Sequence, residues 1–395
     1  MNLLIPSAGT PISFLDIFTG LASSFNRSIP AFESIVKTYT NKKYCYFTNS
    51  GTTAFYVILK ALRRISKKTE VVLPAYTAPS LILPIKKAEL KPVLCDISLK
   101  TFNMDIQSMN KCINEKTLCI VPVHMFGLPI DMESIVTISQ QPLFVVEDAA
   151  SSLGTTIDNR PTGVFGDIGF YSFNRGKNLS TLSGGCIVTD NEEIAEAIQR
   201  ECLSLPRTGF VSQLKIAARL IALALAVHPL FYTVFNDLIS KFKYTTLHTD
   251  FDSFSYTKFQ AGIGCALFGH ASKIFNKRYD HGMFLFDMLK GLKGISLPEL
   301  LPHTVPIFNQ FPILFDDETV KETCFKKIND TGIESTKLYP DPIHRVYDLG
   351  YDLNNDPFPN ATYLSRRLLL IPTHPIIDIE KLSIIINIIR GSFGL

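Results

Sequence analysis

The chain has 395 residues, of which 46% are hydrophobic, and its formal net charge is +3. This length predicts about two or three domains with a substantial buried core, and the mild charge, without a dense Lys/Arg block, argues against nucleic-acid binding. The 8 cysteines form no Cys-x-x-Cys pair and no metal-ligand spacing with histidine, so we expect reduced thiols and no metal site. The first residues lack a basic segment followed by a long apolar one, which predicts a cytoplasmic protein.

Short apolar runs alternate with helical patterns between residues 44 and 200. This alternation predicts an α/β sandwich with a largely parallel sheet, whose ligand site lies at the carboxyl ends of the strands. After about residue 270 the spacers lengthen, which predicts a smaller C-terminal α/β domain. We expect a large domain over residues 1–265, including an apolar insertion at about 204–250, and a small domain over 266–395. The predicted strands are 44–47, 71–73, 92–96, 118–123, 144–148, 169–173 and 186–189, and the predicted helices are 53–65, 77–88, 105–112, 131–138 and 191–203.

Residues 49–53, Asn-Ser-Gly-Thr-Thr, follow the first predicted strand and open the first predicted helix. Backbone N–H groups at a helix start, hydroxyls, and a glycine that permits close approach bind a phosphate well. Gly51 and Thr52 are therefore candidate phosphate contacts, and Ser172 could add a further hydroxyl. Serine and threonine are also the ordinary N-caps of helices that bind nothing, so this motif alone is weak.

Two further residues complete a chemical pattern. Asp148 ends the apolar run at 143–148, which is typical of a buried strand that delivers a side chain at its carboxyl edge. Lys177 follows in the segment 171–179, just before a glycine pair. A lysine that forms a Schiff base with pyridoxal phosphate needs a lowered pKa, and a buried carboxylate can keep the ring nitrogen protonated. Alone, Lys177 predicts a loop lysine and Asp148 a helix cap, but their combination predicts the cofactor.

The ordered motifs resemble those of the DegT/DnrJ/EryC1/StrS family of sugar aminotransferases over nearly the whole chain, except about 204–250. The motifs are Asn-Ser-Gly-Thr-Thr-Ala at 49–54, Leu-Pro-Ala-Tyr-Thr at 73–77, Pro-Val-His-Met-Phe-Gly at 122–127, Glu-Asp-Ala-Ala at 147–150, the stretch from Ser172 to Gly185, Phe-Gln-Ala-Gly-Ile-Gly at 259–264 and Leu-Leu-Ile-Pro-Thr-His-Pro at 369–375.

The resemblance implies a fold-type-I enzyme that uses pyridoxal 5'-phosphate, acts as a homodimer, and moves an amino group from an amino acid, expected to be glutamate, to a keto-sugar. Such enzymes serve surface polysaccharide and glycan biosynthesis. Carried over by position, Lys177 would hold the cofactor and shuttle the proton, Asp148 would pair with the ring nitrogen, and Gly51, Thr52 and Ser172 would contact the phosphate. Two alternatives stay open: a pyridoxal-phosphate-dependent deoxysugar dehydratase, and a non-catalytic membrane-associated scaffold with the same fold. Members with histidine in place of the lysine tend to be dehydratases, so Lys177 favours transamination.

The chain departs from the family pattern at three places near the expected cofactor. Ala78 stands where an aromatic residue usually stacks on the ring, and Tyr76 is the candidate to replace it. Ser151 stands where glutamine is common, and we include it among the candidate cofactor contacts. Ser253 stands for an asparagine that reaches the phosphate site of the neighbouring subunit. The sequence assigns no catalytic role to His124 or His344, since a histidine in such places is at least as often structural.

Within the insertion segment 211–243, residues 215–237 are apolar almost throughout and are interrupted by Pro229. Its uninterrupted part, 220–227, is far shorter than the roughly 20 residues that a spanning helix needs. Two expectations stay open: packing on the protein or its partner, or a peripheral contact with the inner face of the cell membrane. In the second case the sugar acceptor could be carried on a lipid instead of a nucleotide. The basic side chains expected to face anionic headgroups are Lys215, Arg219, Lys241 and Lys243.

Overall fold

A seven-stranded sheet in the order β1-β9-β8-β5-β4-β2-β3 forms the centre of the protein. The computed structural model describes residues 4–23, 28–138, 142–227, 233 and 249–394. The strands are β1 (Tyr44–Thr48), β2 (Glu70–Pro74), β3 (Lys91–Cys95), β4 (Thr117–Ile120), β5 (Phe144–Asp148), β6 (Thr156–Ile157), β7 (Arg160–Pro161), β8 (Ile168–Ser172), β9 (Gly185–Thr189), β10 (Ile295–Ser296), β11 (Thr304–Val305), β12 (Phe311–Phe315) and β13 (Leu368–Ile371).

The middle of the sheet is parallel, as the sequence predicts. Strands β3, β2, β4, β5 and β8 pair in parallel, whereas β9 is antiparallel to both β8 and β1. Both faces of such a sheet are covered by helices, which explains why every residue of β2 and β4 is buried. Because β5 and β8 run in the same direction, their last residues, Asp148 and Ser172, lie at the same edge.

Helices cover both faces of this sheet. The helices are α1 (Phe14–Ser23), α2 (Ser28–Thr40), α3 (Gly51–Ile65), α4 (Ile82–Lys87), α5 (Ile106–Cys112), α6 (Met132–Ile138), α7 (Glu192–Leu203), α8 (Phe210–Val227), α9 (Lys258–Phe268), α10 (Ala271–Leu289), α11 (Glu318–Asp330), α12 (Ile343–Val346), α13 (Pro359–Arg367) and α14 (Ile379–Gly391). The predicted helix at 77–88 is shorter: Ala78 is held out of the helical region before Pro79, a 3₁₀ turn follows, and α4 begins only at Ile82.

A second, three-stranded sheet in the order β10-β12-β13 lies in the C-terminal part, with α11, α13 and α14 packed around it. Strand β11 of the C-terminal part pairs with β6 of the N-terminal part. A third, small sheet therefore connects the two parts of the chain. One continuous cluster of buried side chains also extends from α3 and β2 to β12, β13 and α14. We retain the division near residue 265 as a proposal, and it falls inside α9.

A second cluster of buried side chains lies between α2, α9 and the β1–β9 edge, and α8 packs on it through Leu220. Among the described residues, no helix is long and apolar enough to cross a bilayer. Pro229, Lys241 and Lys243 lie outside the described residues, so the predicted break in the insertion and two of its basic side chains have no structural account.

Candidate active site

Strand β5 delivers Asp148 to the carboxyl edge of the sheet, where its side chain is almost fully buried, with 5% exposed. Its Oδ1 accepts a hydrogen bond of 2.9 Å from the N–H of Ala150. Burial raises the pKa of Asp148 to about 6, and the Ala150 N–H and the charge of Lys177 lower it only in part. A carboxyl group in this state ionises readily when a cation is placed beside it.

Lys177 lies on the loop formed by residues 173–184, between the antiparallel strands β8 and β9. The next residue, Asn178, fixes the base of this loop, since its Nδ2 donates to the carbonyls of Leu153 (2.8 Å) and Ile307 (3.3 Å). The loop therefore holds the lysine in place through contacts with two other parts of the chain.

The amine of Lys177 lies beside two of the predicted site residues. Its Nζ donates a hydrogen bond of 2.7 Å to Ser151 Oγ. Burial lowers the pKa of Lys177, although the negative charge of Asp148 acts in the opposite direction. A lowered pKa increases the neutral fraction of the amine, which is the form that attacks an aldehyde.

The predicted phosphate seat forms where the ends of three strands meet. Ser50 caps α3 by accepting a hydrogen bond from the Thr53 N–H, and Gly51 and Thr52 follow it in the first turn of the helix. A methyl group on Gly51 would lie 3.0 Å from Cβ and 3.2 Å from Oγ of Ser172, so these two predicted contacts adjoin. A helix start with a glycine and a hydroxyl beside it binds a phosphate dianion.

The segment that contains Ser253 packs against this seat within the same chain. Asn49 donates from Nδ2 to the carbonyl of Asp252 at 2.9 Å, and its Oδ1 accepts from the Phe254 N–H at 3.1 Å. Thr53 Oγ1 also donates to the Asp252 carbonyl, at 3.3 Å. Ser253 Oγ is buried without a hydrogen-bond partner among the described residues. A buried hydroxyl without a partner indicates a ligand atom or water at this point.

The aromatic surroundings of Asp148 include a residue that the sequence analysis missed. Tyr76 is completely buried, and its ring meets that of Tyr339 edge-on, with 6.0 Å between the centroids. Burial, and then the charge of Asp148, raise the pKa of Tyr339. Tyr339 lies five residues before His344 in the sequence, and no pattern around it indicated a place beside Asp148. The stacking role of Tyr76 beside the half-buried Ala78 stays a prediction.

His124 forms hydrogen bonds that stabilise the carboxyl edge of the sheet. Its Nδ1 accepts a 3.1 Å bond from the Ile130 N–H, so its Nε2 carries the proton and donates to Glu147 Oε1 at 2.8 Å. The carboxylate of Glu147 also accepts from the N–H groups of Gly163 and Phe165. Burial acts to raise the pKa of Glu147, but these bonds hold it below the ordinary value. Both side chains are fully buried, which fits a structural pair beneath Asp148.

His344 is also buried, but in the C-terminal part of the chain. Its Nε2 lies 3.1 Å from Asp356 Oδ1, and its ring meets Phe358 edge-on. Burial lowers the pKa of His344, whereas the Asp356 charge opposes this. The geometry explains the conformation of His344 without giving it a role in the chemistry.

These residues fit a cofactor that carries an aldehyde, a basic ring nitrogen and a phosphate. The amine of Lys177 with its lowered pKa suits the aldehyde, and the buried carboxyl of Asp148 suits a protonated ring nitrogen. The start of α3 suits the phosphate, with Gly51 against Ser172 and a hydroxyl at Ser253 that has no partner in the part of the chain that the structure describes.

Comparisons with known proteins agree with this chemistry. The model of the DegT/DnrJ/EryC1/StrS aminotransferase family matches residues 19–390. The UDP-N-acetyl-3-dehydro-alpha-D-glucosamine 3-aminotransferase of Acidithiobacillus ferrooxidans is 27% identical over 343 residues, which cover 86% of this chain and 82% of that protein.

Solved structures share the fold. The sugar aminotransferase CalS13 from Micromonospora echinospora aligns with a TM-score of 0.79 at 19% identity, over 98% of this chain and all of that one (100%). The E. coli GDP-4-keto-6-deoxy-D-mannose-3-dehydratase with bound hydrated PLP aligns with a TM-score of 0.78 at 18% identity, over 98% of this chain and 100% of that one. At these identities the likeness establishes the fold alone, and the predicted fold type I is confirmed.

Proposed function

Because the chain belongs to the DegT/DnrJ/EryC1/StrS aminotransferase family, we propose that it transfers an amino group from glutamate to a keto-sugar in surface polysaccharide or glycan biosynthesis. Its cofactor is pyridoxal 5'-phosphate, which supplies an electron sink when bound. The observation that carries the proposal is the position of the Lys177 amine, hydrogen-bonded to Ser151 and close enough to Asp148 to alter the pKa of its carboxyl.

Each proposed site residue has a physical task. Lys177 would hold the aldehyde group of the cofactor through its neutral amine, with water as the leaving group, and would hold the proton that moves during transamination. Asp148 keeps the ring nitrogen protonated. Gly51, Thr52 and Ser172 bind the phosphate at the start of α3. Ser151 orients the Lys177 amine.

Two further assignments belong to the proposal. Ser253 would donate its hydroxyl to the phosphate, and Tyr76 would contribute the aromatic surface that Ala78 lacks. The contacts of Asn49 and Thr53 with the Asp252 carbonyl support a position for Ser253 beside the seat of its own chain.

The test is spectroscopic. Protein reconstituted with pyridoxal phosphate is expected to show a visible absorbance band that shifts on addition of L-glutamate, with release of 2-oxoglutarate. The band should be missing in Lys177→Ala. A wild-type protein with no band would contradict enzymatic function and favour the scaffold alternative.

The dehydratase remains the second candidate, because a dehydratase shares the fold at a TM-score of 0.78. Lys177 supports transamination over this candidate. The two reactions differ in their products, so 2-oxoglutarate formed in proportion to aminated sugar is expected from the transaminase. A dehydratase would also convert glutamate to 2-oxoglutarate, because replacing a hydroxyl next to a ketone by hydrogen needs two electrons, but it would release the nitrogen as ammonia and yield a deoxysugar that contains no amino group. Parallel assays with nucleotide-linked and lipid-linked keto-sugars would identify the carrier.

We also propose that the outward face of α8 contacts an anionic membrane surface. The inner face packs on the second core cluster through Leu220, whereas Val211, Leu214 and Ile221 point outward, with Val211 64% exposed. Lys215 and Arg219 are exposed on the same helix, and the helix contains no acidic residue. An apolar face flanked by cations is suited to an interface of anionic lipids.

Flotation with vesicles tests this contact. The full chain should float with anionic vesicles more than with zwitterionic ones. A variant that lacks residues 211–243 should show no such preference. The double change Lys215→Glu and Arg219→Glu should reduce flotation, while the matched charge reversal of Lys326 and Lys327 on α11 should not. Equal soluble fractions for the full chain and the deletion would contradict the contact, and concentration-dependent self-association of the full chain would favour a second copy on this face.

We propose a homodimer in which a second copy covers α1. Phe14, Leu15 and Phe18 on this helix are 69–72% exposed and adjacent, while Ile17 packs into the second core cluster. Monomeric proteins rarely expose such a patch. The helix has no basic residue, so its charge gives no preference for anionic lipid. A second copy of the same chain is therefore the proposed partner.

A further inference from the structure

The first described residues join the C-terminal part of the protein to the loop at 173–184 that carries Lys177, which we call the lysine loop. Ile5 is inserted beside Ile333: its N–H donates to the Gly332 carbonyl at 2.8 Å, and its own carbonyl accepts from the Glu334 N–H at 2.9 Å. We call residues 4–12 the N-terminal strap. Its beginning is thereby fixed to the end of α11, in the C-terminal part.

Buried side chains hold the middle of the strap by its backbone carbonyls. All three donors come from the C-terminal part of the chain and are at most 5% exposed. The bonds run from His374 Nε2 to Pro6 O (2.7 Å), from Gln310 Nε2 to Ser7 O (3.0 Å) and from Arg278 Nη2 to Gly9 O (2.8 Å).

Arg278 is the most unusual of these donors. It is completely buried, and burial lowers its pKa to about 9. Within the part of the chain that the structure describes, no carboxylate pairs with it, and its Nη atoms donate to the carbonyls of Gly9 and Asn309. An unpaired buried cation is costly, so its hydrogen bonds to the strap are strongly favoured over leaving these donors unsatisfied.

The other end of the strap touches the lysine loop directly. Thr10 is 3% exposed, and its Oγ1 donates to the backbone carbonyl of Lys177 at 3.0 Å, with the carbonyl of Asn178 at 3.4 Å. A methyl group on Gly176 would lie 3.5 Å from Cβ of Ala8, which is ordinary van der Waals contact. The strap therefore fits against the backbone on both sides of the lysine.

We propose that the strap positions the catalytic lysine, with Thr10 as the positioning residue and Arg278, His374 and Gln310 as its anchors. The inference rests on the proposed function of Lys177. A carbonyl fixed by Thr10 limits rotation of the Lys177 backbone, and this directs the amine towards Ser151. The same contacts couple the C-terminal part of the chain to the position of the amine.

The experiment compares Thr10→Val, which removes the hydroxyl at nearly constant volume, with Thr10→Ser, which retains it. The matched control is Thr40→Val, because Thr40 is also buried and its Oγ1 donates to a backbone carbonyl, Val36 O, at 2.7 Å. Hydrogen exchange of the apoprotein is followed by mass spectrometry over residues 173–184, and the dissociation constant for pyridoxal phosphate is measured by absorbance titration.

Thr10→Val should increase loop exchange and the dissociation constant for pyridoxal phosphate by about three- to tenfold each, which is the range expected for one lost hydrogen bond. Thr10→Ser should restore both, and Thr40→Val should change neither, even if it lowers the melting temperature. Unchanged loop exchange in Thr10→Val, or an equal change in Thr40→Val, would overturn the inference. A wild type that binds no pyridoxal phosphate would instead contradict the proposed function, while exchange in the apoprotein would still decide the role of the strap.

Discussion

Ser151 Oγ accepts a 2.7 Å hydrogen bond from Lys177 Nζ across a sequence separation of 26 residues. A hydroxyl can accept from an ammonium group and can also donate to a neutral amine. The contact therefore persists in either protonation state of Lys177. Ser151 is thus suited to hold the amine while its charge changes.

Removal of this hydroxyl should weaken cofactor binding without abolishing it. We expect Ser151→Ala to raise the dissociation constant for pyridoxal phosphate by about three- to tenfold, since a single hydrogen bond contributes about 0.5–1.5 kcal/mol. Ser151→Thr retains the hydroxyl and should bind nearly as well as the wild type. Absorbance titration measures both, and equal affinity of Ser151→Ala and wild type would exclude the contact from cofactor binding.

Gly51 is required for close approach at the start of α3. Gly51→Ala should strongly weaken binding of pyridoxal phosphate, because the added methyl group would lie 3.0 Å from Cβ of Ser172, where the phosphate is expected. The free energy of unfolding of the apoprotein should change little, since the gain in helix propensity of about 1 kcal/mol offsets the tight contact.

The control for this change is Gly209→Ala, because a methyl group on Gly209 would meet no atom of the described residues within 4 Å. Titration with pyridoxal phosphate and denaturant unfolding of both variants separate binding from stability. If Gly51→Ala bound the cofactor as tightly as Gly209→Ala, the phosphate seat would have to lie elsewhere.

The parts of the site that the sequence predicts are those encoded by local patterns. Asp148 is recognisable because an apolar strand ends in an acid, and Gly51 because a glycine and hydroxyls open a helix. The combination with Lys177 then predicts the cofactor, because a lysine with a lowered pKa suits its aldehyde and a buried carboxylate suits its ring nitrogen.

The parts that the sequence does not predict depend on contacts between distant residues. Thr10 reaches Lys177 across 167 residues, and no local pattern announces a threonine that binds a remote carbonyl. Tyr339 lies near Asp148 because the C-terminal part packs over the sheet edge, and no periodicity encodes this placement. The helix predicted at 77–88 is wrong in its first residues. The apolar spacing suggested a continuous helix, but Pro79 keeps the preceding Ala78 out of the helical region.

The buried charge of Asp148 should destabilise the apoprotein at neutral pH. Its folded pKa of about 6 lies above the ordinary value of 3.8, so the folded state favours the neutral acid. The cost is fully present above about pH 6 and disappears as the pH falls towards 4, where the acid is protonated in both states. From this difference in pKa we expect Asp148→Asn to stabilise the apoprotein by about 1–3 kcal/mol at pH 7.5.

Denaturant unfolding of apo wild type and Asp148→Asn at pH 7.5, 6 and 4.5 checks this. The difference in free energy of unfolding between Asp148→Asn and the wild type should decrease steadily as the pH falls. Protonation of Asp148 in the wild type removes the same charge that the substitution removes. Asp148→Asn should also lose activity with glutamate, since an amide cannot keep the ring nitrogen protonated. A gap that does not depend on pH would contradict the raised pKa.

The hydrogen bonds that Glu147 accepts beneath Asp148 should contribute to the free energy of unfolding. Its carboxylate accepts from His124 Nε2 and from the N–H groups of Gly163, Phe165 and Gly166, which are all donors. In Glu147→Gln, the amide nitrogen would face at least one of these donors and leave it unsatisfied, so we expect a loss of about 1–3 kcal/mol in the free energy of unfolding. Glu89→Gln is the control, because Glu89 meets Arg63 at the exposed surface, and it should change stability little. Equal effects of the two changes would show that the buried pair does not stabilise the strand edge.

The apolar face of α1 predicts the outcome of a single charge insertion. Phe18 is 69% exposed and lies beside two other exposed apolar side chains, so Phe18→Lys should place a charge in the proposed dimer interface at little cost to the fold. We expect the dimer dissociation constant to rise about 30-fold or more, as for the loss of an interface residue contributing at least about 2 kcal/mol. The control is Ile384→Lys on α14, where the side chain is 40% exposed on the C-terminal part. Sedimentation equilibrium over a range of concentrations measures both variants. A wild type that sediments as a monomer at all concentrations, or a Phe18→Lys protein that dimerises as tightly as the control, would leave α1 without a role in association.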